Sequence, residues 1–132
     1  MARVINFTRN TIVPIEFKDQ NGDLIEKFEF DKSDEGMAKL NDTQNKMLAV
    51  IAQSESKPEE FTSEQLLSEM KPIVDEMFGD NAGERLHKMA GNWETFLNCF
   101  VTMCVEVRME INQSELNTVK QTQALLNQYL NE

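Results

Sequence analysis

The chain is poor in the residues that do chemistry or staple small folds. Two of its 132 residues are cysteine, one is tryptophan, one is tyrosine, and His87 is the only histidine. Histidine is the usual proton carrier and metal ligand near neutral pH, and catalysis needs such groups in clusters. A lone His87 with Glu84 and Glu94 nearby in the chain therefore reads as a solvated neighbour, not as a zinc or acid–base site. Cys99 and Cys104 lie five positions apart in an apolar run, about 140° apart around a helix, which suits neither a disulfide nor a shared metal. Neither has a local histidine or a cluster of positive charge to lower its pKa, so both are expected to be buried free thiols. Carboxylates occur on every segment, so spacing singles out no catalytic pair. The expectation is a protein that is not an enzyme, with no cofactor, no metal and no small-molecule substrate.

Basic residues are also scarce. Lys+Arg 13 against Asp+Glu 23 gives a net charge of −10, which disfavours binding to a phosphate backbone. The deficit is even: 8 basic and 13 acidic residues in 1–66, 5 and 10 in 67–132, with no acidic tail. No run of roughly eighteen apolar residues is present, so no membrane span is expected, and Met1–Phe7 lacks a signal-peptide core. The protein is read as soluble and intracellular, and the glycosylation patterns at Asn6, Asn41 and Asn112 are then idle. Three prolines and five glycines leave few breakpoints, and the length suits one core, so residues 1–132 are read as a single domain.

What is present is patterned apolar surface. Ile12–Phe17 and Leu24–Phe30 alternate around Asn21-Gly22, which predicts a β-hairpin with a two-residue type I′ turn. That register sets Val13 opposite Phe30, Ile15 opposite Phe28, Glu16 opposite Lys27 as a cross-strand charge pair, and Phe17 opposite Glu26. Pro14 marks an edge strand or a bulge. Arg3–Thr8 could supply a third strand, and helices must cover the Val13/Ile15/Phe28/Phe30 face. Asp19, Asn21 and Asp23 resemble a calcium loop at first sight. Leu24 and Phe30 occupy the positions where an EF-hand needs glycine and an acidic ligand, which excludes it.

From Ser33 the period becomes helical. Met37, Leu40, Met47, Val50 and Ile51 share a face that ends near Gln53, and the apolar-free 53–60 stretch is a connection. Thr62 and Gln65 form a capping box ahead of a stripe through Phe78, with Phe61 placed to staple against Leu66. Pro72 should kink or split that helix, and Gly79 should end it. A short Asn81–Met89 helix follows, and then a longer one capped by Asn92. Residues 105–111 alternate like a strand, yet Trp93, Phe96, Phe100, Met103, Val107 and Ile111 follow one helical face; helix is preferred. Apolar groups surround much of this segment, so it is either the central core helix or one that serves core and interface together, and those six residues are the candidate oligomer or partner surface. In Glu115–Leu130, a seam of Leu116, Val119, Gln123, Leu126 and Leu130 suits either packing or partner binding. Eight methionines and eight phenylalanines fit an adaptable surface or a loosely specified core equally well. The fold class is α+β: an N-terminal hairpin over 1–31, of two or three strands, then a mainly helical bundle of four to five helices over 33–132.

At Met77-Phe78-Gly79-Asp80-Asn81-Ala82-Gly83-Glu84-Arg85-Leu86, followed by Trp93-Glu94-Thr95-Phe96 and a long apolar helix, the chain resembles the tail assembly chaperones of siphophages, small proteins encoded beside the tape measure gene. Pro72 departs from the pattern. The resemblance implies a non-enzymatic protein of the host bacterial cytoplasm that self-associates, coats the helical tape measure protein and recruits the major tail protein. The alternative from charge alone is an acidic regulator that masks the basic nucleic-acid-binding surface of a partner.

Overall fold

In the computed structural model, which describes residues 1–131, the chain first becomes regular at β1 (Ile12–Lys18) and β2 (Leu24–Asp31). These form a two-stranded antiparallel sheet with the expected pairs Val13/Phe30, Ile15/Phe28, Glu16/Lys27 and Phe17/Glu26. Residues 1–10 have no regular structure, so Arg3–Thr8 adds no third strand. The turn differs from expectation. Gly22 has φ 83°, but Asn21 is not left-handed, whereas a type I′ turn needs both. Instead the Gly22 N–H donates to the Asp19 carbonyl (3.0 Å) and the Asp19 N–H to the Asp23 carbonyl (2.9 Å), which leaves a three-residue loop. The Asp19 carboxylate accepts from the Asn21 and Asp23 amides at 2.8 and 3.0 Å, satisfying the turn locally. Lys18 consequently pairs with Leu24, and one extra residue, Ile25, restores the register beyond it. The ion pairs also differ: Lys27 reaches Glu29 and Lys18 reaches Glu16, each along its own strand at 3.7 Å.

Four helices follow: α1 (Asp34–Ser56), α2 (Ser63–Phe78), α3 (Ala82–Ala90) and α4 (Trp93–Leu130). Each of the long ones is capped by a side-chain oxygen. Ser33 Oγ accepts the Gly36 amide at 3.2 Å, and Asn92 Oδ1 accepts the Thr95 amide at 2.8 Å. Thr62 and Gln65 exchange reciprocal bonds of 3.2 and 3.1 Å, the expected capping box. α2 runs through Pro72 as one helix, so Pro72 does not split it. Pro72 leaves the Ser68 carbonyl without its donor, but both residues are exposed and water can replace the bond. Gly79 ends α2.

The corner between α2 and α3 is tight. The Asp75 carboxylate of α2 accepts the Gly83 amide at 2.7 Å, capping α3 from a neighbouring element because Asn81 makes no side-chain cap. A Cβ on Gly83 would lie 2.5 Å from the Lys71 carbonyl oxygen, so the two backbones touch where only glycine fits. The Phe78-Gly79…Gly83 pattern is thus a helix stop followed by a close crossing.

No glycine or proline interrupts residues 93–131, and α4 is accordingly one 38-residue helix of about 57 Å, which absorbs both the ambiguous 105–111 stretch and the separate last helix that 115–130 could have been. The core lies between the hairpin face and the helices. Phe28 and Phe30 meet Phe78 edge-on at 6.2 and 6.3 Å, and Phe78 meets Phe100 at 6.5 Å, an aromatic line from sheet through α2 to α4. Val13, Leu40, Met70, Val74 and Leu86 fill in around it.

Candidate interaction surface

α4 carries two apolar faces, one buried and one exposed. Phe96, Phe100, Met103, Val107 and Ile111, five of the six candidate interface residues, are buried in the chain's own core, and Trp93 is half-buried. That surface is a correction: the aromatic-rich face is the one the hairpin and α2 cover. Among the exposed apolar side chains of α4, Val101, Val105 and Met109, then Leu116, Val119, Leu126 and Leu130, share the other face. At 3.6 residues per turn these fall, with Asn112 and Gln123, in a stripe about 100° wide, centred about 135° from the core face and about 44 Å long.

The stripe divides at Asn112. Its proximal part runs beside α1, where Gln44 and Met47 with Val101, Cys104, Val105, Arg108 and Met109 line a shallow groove that is almost wholly apolar. Arg108 fixes one wall by donating to Asn41 Oδ1 (3.3 Å) and Gln44 Oε1 (3.2 Å) across to α1. Cys104 lies at its base, Sγ 3.9 Å from Met77 Sδ, and burial pushes its thiol up to about 11, against a smaller opposing pull from Arg108. Burial raises Cys99 as well, so neither thiol is poised as a nucleophile. Both are free, as expected, but only Cys104 is buried, and Cys99 is half-buried.

The distal part leaves the body altogether. Ser114 is the last half-buried residue, held by Lys32 Nζ at 2.9 Å, and every residue of 115–131 is exposed. Leu125 and Tyr129, 66% and 75% exposed, continue the line of the core face past the point where there is a core to meet. This stretch is a poor helix by itself: Asn117, Thr118, Val119, Thr122 and Asn127 favour other conformations, and an isolated amphipathic helix owes its stability to a packed face.

The other sequence candidates are dispersed. His87 packs edge-on against Phe96 at 6.0 Å, and Glu84 is drawn to Lys71 Nζ at 2.7 Å, which lowers the Glu84 carboxyl pKa. No cluster of three or more His, Cys, Asp or Glu side chains suited to a metal occurs among the described residues. No helix among them is long and apolar enough to cross a membrane.

The signal that would have separated the two faces was present. Val101, Val105 and Met109 recur every fourth residue and run in phase into Leu116 and Val119, whereas the Phe96/Phe100/Val107/Ile111 face loses its apolar character after 111 except at Leu125 and Tyr129. Comparison of the chain with protein-family models, curated proteins and solved structures finds no match.

Proposed function

We propose that the protein is a non-enzymatic tail assembly chaperone, acting in the host bacterial cytoplasm, that holds helical segments of the tape measure protein and presents them to the major tail protein. One observation carries this reading: an uncovered apolar groove where α4 runs beside α1, lined by Met47, Val101, Val105 and Met109, of the shape another amphipathic helix needs. With Met47 and Met109 the groove can repack around differing side chains, which suits a client made of many similar but unequal helical turns. The net charge of −10 keeps such a sticky molecule dispersed. The resemblance at Met77–Leu86 and Trp93–Phe96 supplies the particular clients.

Co-expression with the tape measure protein of the same genome tests it. The wild-type chain should keep that protein soluble and co-purify with it, and Val105→Glu with Met109→Glu should abolish retention while Trp93 emission stays native. Tape measure protein that is equally soluble with and without the chain contradicts the reading. Retention that disappears on raising the salt would favour the acidic-mask alternative instead.

A further inference from the structure

The distal half of α4 has the spacing, charge and polarity to bind a second copy of itself. Leu116, Val119, Gln123, Leu126 and Leu130 alternate steps of three and four, the period at which two helices supercoil with their seams in continuous contact. We infer that residues 115–130 pair in parallel and in register with the same residues of a second chain, as a short two-stranded coiled coil. Leu116, Gln123 and Leu130 take one core position, and Val119 and Leu126 the other. The inference rests on the reading of α4 as an adhesive helix and adds its partner and orientation.

Charge selects the orientation. Glu115 and Lys120 are the only charged residues in 112–131, and they flank the seam on opposite sides, five positions apart. In a parallel in-register pair that spacing sets Glu115 of each chain beside Lys120 of the other, twice by symmetry. In an antiparallel pair centred on the same seam neither would meet an opposite charge. Gln123 selects the occupant: facing its own copy, each side-chain amide has a donor and an acceptor opposite it, whereas under an apolar client helix it would be buried without a partner. The length is sufficient because the docked half of α4 has already nucleated the helix, so pairing has only to sustain it. The two bodies then lie side by side at one end, and the helices part near Asn112, where the apolar row is interrupted.

The test uses the full chain. In a Cys99→Ser background, V119C should form an intermolecular disulfide in a redox buffer. V119C mixed with L126C should give far less of the mixed dimer than V119C gives alone. L126E, clear of the body, should weaken self-association about tenfold or more in sedimentation equilibrium and leave Trp93 emission unchanged. A wild-type chain that stays monomeric at every accessible concentration overturns the pairing, as does preferential V119C–L126C linkage, which reports an antiparallel pair. If the dimer is absent but tape measure protein is still retained through Val105 and Met109, the pairing falls and the chaperone reading stands; a dimer without retention has the opposite meaning.

Discussion

Lys32, one residue beyond β2, donates from Nζ to Ser114 Oγ at 2.9 Å, and that contact is where α4 parts from the body. Everything N-terminal to it on the helix has a core face, and everything beyond is surrounded by solvent. A chain shortened to residues 1–114 should therefore keep the body's folded state in dilute solution. Its urea midpoint, followed by Trp93 emission, should match that of the full chain, and a lost or broadened transition would show that the distal helix supports the body.

The two faces of α4 should respond oppositely to truncation of their side chains. Phe100, fully buried against Phe78, should cost about 3–5 kcal/mol as Phe100→Ala. Val105→Ala, half exposed, should cost no more than about 0.5 kcal/mol. Chemical denaturation of both variants checks the assignment, and comparable losses would contradict it.

The α2–α3 corner predicts that Gly83→Ala is destabilising by about 1–3 kcal/mol, because the added methyl meets the Lys71 backbone and cannot move aside. Circular dichroism melting reads the loss. A neutral Gly83→Ala would mean that the helices are farther apart than described.

Thr43 is buried in the middle of α1 with its hydroxyl unpartnered. Replacing it by valine, of the same shape, removes a polar atom that has lost its water and gained nothing. Thr43→Val should be neutral or stabilising by up to about 1 kcal/mol in urea titration. A clear loss would reveal a hydrogen bond to that oxygen.

Arg85 of α3 clamps the hairpin: its guanidinium bonds the Glu26 carboxylate and the Lys27 carbonyl and lies 4.7 Å above the Phe28 ring. The Arg85 hydrogen bond is the largest influence on Glu26, and with the Lys27 amide and the Arg85 charge it outweighs desolvation and lowers the carboxyl pKa. A carboxyl whose folded pKa lies below its unfolded one adds stability above the ordinary carboxylate range and loses it as pH falls through the folded value. The gap in stability between wild type and Glu26→Gln should therefore be widest near neutrality and close on acidification, measured by urea midpoints across that range. A gap that is constant with pH would mean the pair is not coupled to folding.

Local signals were legible and tertiary choices were not. The hairpin pairs, the Thr62/Gln65 capping box, the Asn92 cap and the Gly79 stop follow from residues within a few positions of one another. Asn21-Gly22 marked the turn but not its type, since one left-handed glycine serves the three-residue loop as well as the two-residue one. That Pro72 does not split α2 was not legible, because the cost of a missing helical bond depends on whether the orphaned carbonyl meets water, a property of the fold. Five of the six residues expected at an interface are buried in the core for a similar reason. Both faces show helical phase, but which of them is buried depends on contacts such as Phe78 with Phe100 and, through Phe78, on Phe28 and Phe30 of the hairpin, up to about seventy residues away in sequence.

If the exposed stripe of α4 is shared with other chains, as proposed, amide hydrogen exchange over residues 112–131 should depend on protein concentration. Exchange should be fast in dilute solution and slow as concentration rises, while the Phe96–Ile111 stretch stays protected throughout. Protection of 112–131 that is the same at every concentration would mean the chain satisfies that helix alone, and that no second chain shares it.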